Sequence, residues 1–99
     1  MKKSHKELIA CSDAERKKRL IQAVKEGDVV ATRIFFQQYY VPVNDFSYSI
    51  LHDEMLAEKH TWDVLKEALI RLRKGADCGD PSSWLRMLTK EVAQWYASI

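Results

Sequence analysis

The residues of this chain that could do chemistry are its serines, its three histidines and its two cysteines. A catalytic nucleophile needs a base within hydrogen-bonding distance and a third group that orients the base. No nucleophile elbow, HExxH motif or paired-carboxylate motif accompanies these residues, and three glycines are too few for a phosphate-binding loop. The string His60-Thr61-Trp62-Asp63 is better explained as a junction between two helices, with Trp62 packing there. The sequence therefore predicts that the protein is not an enzyme.

The cysteines predict neither a metal site nor a disulfide framework. The three histidines lie too far in sequence from Cys11 and Cys78 for any standard zinc-ligand spacing. The two cysteines also form no CxxC pair. Structural or incidental thiols are therefore the expectation, with a redox pair or a site assembled only in three dimensions as the alternatives. No cofactor is predicted.

Composition indicates one small globular domain over residues 1–99. Apolar residues make up 46% and charged residues 30%, while three glycines and two prolines are few enough to favour helices. A net charge of +2 is far from that of a dedicated polyanion binder. No run approaches eighteen apolar residues, and Met1-Lys2-Lys3 leads into no apolar signal core. The expected protein is cytoplasmic, without membrane association.

Helix start and stop signals predict an all-α fold. No segment shows the sustained period-two alternation of apolar and polar residues that is typical of a strand. Capping boxes at Ser4 and Ser12 begin the first two helices, and Gly27 and Gly75 supply left-handed stops. Asp28 is placed to cap the third helix. The predicted helices cover residues 5–11, 13–26, 29–40, 49–60, 62–74 and 81–97.

Four of these boundaries depend on one or two residues each, in the middle and last parts of the chain. Pro42 disfavours the helical conformation of the residue before it, so Val41–Tyr48 is predicted to be a loop. Ser49 then begins a helix and Thr61 caps the next. Asp80-Pro81 begins the last helix, because proline at the first helical position loses no hydrogen bond.

Helical spacing of apolar residues predicts the core. The residues expected to be buried are Val30, Ala31, Ile34, Phe35, either Phe36 or Tyr39, Val64, Leu65, Ala68, Leu69, Leu72, Trp84, Leu85, Leu88, Val92, and Trp95 or Tyr96.

Parts of the chain resemble ankyrin repeats. Leu20, Leu51 and Leu85 are 31 and 34 residues apart, which brackets the 33-residue ankyrin unit. Leu20–Asp28 resembles the first helix of that unit and its glycine turn. Ser49-Ile50-Leu51-His52 resembles the Thr-Pro-Leu-His opening, and Arg73–Asp77 resembles the Lys-Gly-Ala-Asp close. Val43-Asn44 falls where the family has its Val-Asn loop ending.

The resemblance implies an ankyrin-like solenoid of short antiparallel helix pairs with about six or seven helices. Residues 1–17 form an N-terminal cap, 18–48 and 49–80 form two units, and 81–99 form a C-terminal cap helix. His52 ties adjacent loops through a hydrogen bond, as the family's histidine does, unless it is simply a partly exposed helix residue. Such stacks bind proteins through their projecting loops and the concave face of their first helices.

Aromatic residues between Phe35 and Tyr48 are too numerous for so small a core to bury completely. This excess favours a surface on this protein that contacts another protein. Together with the resemblance, these aromatic residues predict a small adaptor or inhibitor that binds and occludes a surface of a larger partner, or a homodimer. The predicted partner-binding residues are Tyr40, Phe46, Tyr48, Gln22, Lys25, Glu26, Asp53, Glu54 and Glu58.

The alternative function is nucleic-acid association through a basic N-terminal region. The cations concerned are Lys2, Lys3, Lys6, Arg16, Lys17, Lys18 and Arg19. Four consecutive helical positions span about 300°, so Arg16–Arg19 cannot share one face. A solvated surface that adds solubility is the simpler interpretation of the basic run.

Overall fold

A computed structural model describes residues 13–97, which form four helices and no strand. They are α1 (Asp13–Lys25), α2 (Val29–Leu51), α3 (Glu54–Arg73) and α4 (Pro81–Ala97). The all-α prediction is confirmed. The prediction of six or seven short helices is not supported over these residues, because two long helices replace the three short helices predicted between residues 29 and 74. The helix predicted near 5–11 lies outside the described residues.

The helix ends that depend on local chemistry follow the sequence prediction. Gly27 and Gly75 have φ angles of 85° and 96°, the left-handed conformation that a residue without a Cβ adopts readily. At Gly75 the backbone N–H donates to the Leu72 carbonyl at 3.0 Å, which satisfies a free carbonyl of the last turn of α3. Asp28 Oδ1 accepts from the Ala31 N–H at 3.0 Å, and Asp80 Oδ2 accepts from the Ser83 N–H at 3.2 Å.

The predicted loop at Val41–Tyr48 is wrong, because α2 continues as a helix through Pro42. Proline removes one backbone hydrogen bond and costs a helix interior about 3 kcal/mol. Opposing this, buried residues recur at every fourth position across the proline. They are Ala31, Phe35, Tyr39, Val43 and Ser47. Burying side chains such as Phe35 and Val43 contributes about 1.5–3 kcal/mol each, which is enough to offset the missing bond.

The chain turns between α2 and α3 at only two residues. His52 caps α2 with a φ of 55°, and Asp53 caps α3 by accepting from the Leu56 N–H at 2.9 Å. Ser49 and Thr61 are therefore helix-interior residues rather than the predicted caps. Thr61 is fully buried and donates to the Ala57 carbonyl at 2.7 Å. This turn makes α2 and α3 an antiparallel hairpin.

The hairpin carries the core, and both α1 and α4 pack against its two helices. Most predicted core residues are buried or packed against the core, Phe36 and Tyr39 both included. Val30 and Ile34 are exceptions, because they are 63% and 44% exposed on α2. At the end of α4, Tyr96 packs against the core and Trp95 is exposed. Arg71 holds α3 to α4, since its guanidinium bonds Glu67 on its own helix and Glu91 on α4.

The arrangement of the described helices gives no support for ankyrin repeats. Leu51 is the last residue of α2, whereas the resemblance makes it the opening of a helix pair. The predicted boundary between units, at residues 48 and 49, falls inside α2. His52 is an exposed cap whose ring lies 6.5 Å from that of Tyr48. A role for it in tying solenoid loops therefore has no structural basis here.

Replacing Pro42 with alanine should stabilise the protein by about 2 kcal/mol. Alanine restores the missing N–H donor and removes the clash of the proline ring, which together favour the helix by about 3 kcal/mol. The greater conformational freedom of the unfolded alanine variant lowers this gain by up to about 1 kcal/mol. Urea denaturation measures the difference. Val41→Ala is the matched control, because this exposed neighbour changes only intrinsic helix propensity, worth less than about 0.7 kcal/mol. A Pro42→Ala variant no more stable than the wild type would contradict this account of α2.

Candidate functional site

A groove of about 590 Å³ runs between α2 and α3 near their connecting turn. It is lined by aromatic, amide and acidic side chains, with one alanine. The lining residues are Tyr40, Asn44, Asp45, Tyr48, Glu54, Ala57 and Glu58. We call it the aromatic–acidic groove. None of its lining residues belongs to α1 or α4.

Helical periodicity explains why these residues meet. Tyr40, Asn44 and Tyr48 follow one another at four-residue spacing and therefore share one face of α2. Glu54 and Glu58 share a face of α3 for the same reason. The short turn folds the two faces against each other, and the Asn44 side-chain amide donates to Thr61 Oγ1 at 3.1 Å across the hairpin. A rigid pair of helices thus fixes the width and the register of the groove.

Aromatic rings continue the groove at the Tyr40 end. The Trp62 ring lies 5.2 Å from that of Tyr40 and 6.0 Å from that of Phe36, between ring centroids. Trp62 is still 42% exposed, and Tyr48 at the other end is 46% exposed. The groove thus has one accessible aromatic side chain in its lining, Tyr48, and a second, Trp62, in contact with the lining residue Tyr40, which suits it to hold a side chain of another molecule.

The structure brings together four of the nine predicted partner-binding residues. Tyr40, Tyr48, Glu54 and Glu58 all line the aromatic–acidic groove, and Tyr48 lies on a helix rather than in the predicted loop. Asp53 is next to it as the cap of α3. Trp62 was not among the predicted surface residues, because the sequence predicts that it packs at a junction between two helices. Its four-residue spacing from Glu58 is the signal that could have found it.

Phe46 lies elsewhere, in a second groove of about 450 Å³ between α2 and α4. The Arg86 guanidinium of α4 lies 4.7 Å from the centroid of the Phe46 ring, at cation–π distance. The groove also contains Tyr39, whose buried hydroxyl has no hydrogen-bond partner among the described residues. Burial is the main reason why the pKa of Tyr39 is raised. The aromatic contact surface predicted from sequence is thus divided between two grooves.

The remaining predicted contact residues lie at the end of α1 and in the turn that follows it. Gln22 and Lys25 line a groove with Cys78, a free thiol, and the neighbouring turn. Glu26 is exposed and accepts a hydrogen bond of 3.1 Å from the Gln22 side chain. These residues are not part of the aromatic–acidic groove.

The basic run of α1 is also divided between grooves. Arg16 and Lys17 line one, with Leu20 and Ile34, whereas Lys18 and Arg19 line the one beside Cys78. Lys2, Lys3 and Lys6 lie outside the described residues. Nucleic-acid binding stays a prediction, and the described cations do not form the single face that it requires.

A buried polar cluster joins α2, α3 and α4 beneath the surface. Ser47 Oγ and His60 Nδ1 share a hydrogen bond of 2.8 Å, and both side chains are fully buried. The His60 ring lies 5.1 Å from that of Tyr96, whose hydroxyl donates to Asp63 Oδ2 at 2.5 Å. Burial and this hydrogen bond raise the pKa of Tyr96. Sequence reasoning did not find the cluster, since no motif links residues from three helices.

The contact between Ser47 and His60 pairs a hydroxyl with a base, but it cannot act on a substrate in this conformation. Both side chains have no exposed surface, so no substrate carbonyl can approach the hydroxyl. Burial lowers the pKa of His60, and this effect outweighs the opposing influence of Asp63 and of the Thr89 backbone. The neutral imidazole therefore links α2 to α3 and packs against α4, which is a structural role.

The described part of the chain contains no cluster of three or more metal-ligating side chains. Within residues 13–97, no helix combines the length and the apolar content needed to cross a bilayer. No family model, curated protein or solved structure matches this chain.

Proposed function

We propose that this protein is a small interaction module that binds a partner protein through the aromatic–acidic groove and occludes the partner's surface, as an adaptor or an inhibitor. The supporting observation is the exposure of two aromatic side chains at this groove: Tyr48, which lines it, and Trp62, whose ring contacts that of the lining residue Tyr40. Tryptophan and tyrosine are enriched among the few residues that dominate binding energy at protein interfaces.

Affinity capture from the native cell tests this proposal with two tryptophan variants. Trp62→Ala should abolish capture of a partner that the wild-type protein retains, because removing an interface tryptophan commonly costs 2 kcal/mol or more, about 30-fold in affinity. Trp95→Ala is the matched control. Trp95 is 45% exposed on α4 and lies outside the groove, so this variant should capture the partner normally.

Circular dichroism of both variants separates a lost contact from a lost fold. A partner that binds Trp62→Ala as well as it binds the wild type would contradict the proposed function. Loss of the partner from Trp95→Ala alone would place the binding surface at α4 instead.

A further inference from the structure

We infer that the partner of the aromatic–acidic groove presents a lysine or arginine side chain from an amphipathic helix. This inference rests on the proposed function and names the chemistry of the partner. Its first support is charge. Asp45, Glu54 and Glu58 line the groove, which has no lysine or arginine among its lining residues, although the chain as a whole has a net charge of +2.

These three carboxylates are available to a ligand. Asp63, Glu67 and Glu91 form ion pairs with Lys59 or Arg71, and these pairs lie elsewhere on α3 and α4. Asp45, Glu54 and Glu58 are all exposed, and none forms an ion pair with another described residue. A cation that enters the groove therefore meets carboxylates without displacing a resident lysine or arginine.

The aromatic wall favours the same kind of ligand. A cation within about 6 Å of a ring centroid is attracted by the negative face of the ring, most strongly by tryptophan. Two such contacts already form within this fold. Lys59 Nζ lies 5.2 Å from the Tyr96 ring, and the Arg86 guanidinium lies 4.7 Å from the Phe46 ring. Trp62 and Tyr48 offer comparable ring surfaces that no cation in the described chain covers.

The shape of the groove indicates a helical occupant. The lining residues of α2, from Tyr40 to Tyr48, rise about 12 Å along the helix axis, which matches about two turns of an opposing helix. A helix lying between two others presents residues at three- and four-residue spacing to both walls. One basic residue flanked by apolar residues would meet the carboxylates and the rings together.

Three synthetic helices of about 15 residues test the charge preference, since that length is needed for a stable isolated helix. All three carry leucines at helical spacing, and their remaining positions are lysine, glutamine or glutamate. Binding is followed by NMR of the ¹⁵N-labelled full chain. We expect the lysine peptide alone to shift the Trp62 indole and Tyr48 amide signals at low salt, and its affinity to fall at about 0.15 M salt, where screening acts beyond about 8 Å.

Charge reversal in the groove gives the second arm of the test. Glu58→Lys should weaken the lysine peptide about tenfold and improve the glutamate peptide, because repulsion replaces attraction at the rim. Glu26→Lys is the matched control, since Glu26 is exposed in the turn after α1 and lies outside the groove, and it should leave both affinities unchanged.

Two results would overturn the inference. Equal binding of the three peptides, lost in Trp62→Ala, would leave the groove as the docking surface and remove the preference for a cation. No signal change in the groove with the lysine peptide at millimolar concentration would remove the cationic helix as its occupant, while the capture experiment with Trp62→Ala would still decide the proposed function.

Discussion

Replacing Phe35 with alanine is expected to lower the free energy of unfolding by about 3–5 kcal/mol, the range found for large-to-small changes at buried aromatic positions. Phe35 has no exposed surface, and its ring lies 5.2 Å from that of Tyr39 and 6.1 Å from that of Phe36. Truncation therefore removes contacts within α2 and leaves a cavity in the core. Small domains are stable by only about 5–15 kcal/mol, so the variant should be close to unfolding.

Urea denaturation followed by far-ultraviolet circular dichroism measures this loss. Ile34→Ala is the matched control, because Ile34 precedes Phe35 on the same helix but is 44% exposed, and it should cost about 1 kcal/mol or less. An unchanged dependence on urea concentration would show that the variant unfolds from the same compact state. A Phe35→Ala variant as stable as Ile34→Ala would place the core elsewhere.

Acidification is expected to destabilise the protein through His60. Burial lowers the pKa of this imidazole below its ordinary value of 6.5 in the folded state. The unfolded chain therefore binds more protons than the folded chain as the pH falls below 6.5, and stability falls with it. One such group changes the free energy of unfolding by up to about 1.4 kcal/mol per pH unit, until the pH reaches the folded pKa.

Two measurements isolate the contribution of His60. NMR titration of the folded protein should give His60 a pKa below 6.5. His60→Gln, which retains a hydrogen-bonding group for Ser47, should flatten the decline in stability between pH 6.5 and pH 5. His52→Asn is the control, because asparagine tolerates the left-handed cap conformation, and it should retain the decline. A decline that persists unchanged in His60→Gln would assign the acid sensitivity to other groups.

Local chemistry determined which parts of the fold could be predicted. The stops at Gly27 and Gly75 and the caps at Asp28 and Asp80 each depend on a few neighbouring atoms, and all four were correct. The loop predicted after Pro42 is wrong because the cost of a proline inside a helix is offset by the burial of neighbouring side chains. The side chains that are buried on both sides of Pro42 recur every four residues in the sequence. Their burial stabilises the helix only because other helices pack against them, and the sequence does not show which helices do so.

Four residues of the candidate site were among the predicted contact residues, but their arrangement in a groove between two helices was not predicted. Tyr40, Tyr48, Glu54 and Glu58 were selected as contact residues, the tyrosines because so small a core could not bury every neighbouring aromatic residue. These four side chains come together because the chain turns at His52 and Asp53. The sequence did not predict this turn, because Ser49 and Thr61 were the predicted helix caps. The pairing of Ser47 with His60 joins two helices at a fully buried point, and no single-sequence pattern specifies such a pair.

The two-residue turn joins α2 to α3, so the groove between them consists entirely of residues that are synthesised before α4. Every groove residue, with Trp62, precedes α4 in the chain and leaves the ribosome first during synthesis. The hairpin nevertheless depends on Leu85, Leu88 and Val92 of α4 to complete its core. A nascent chain therefore exposes its groove side chains before α4 is available to complete the core beneath them, and the groove should reach its final form only after α4 has left the ribosome and packed on the hairpin.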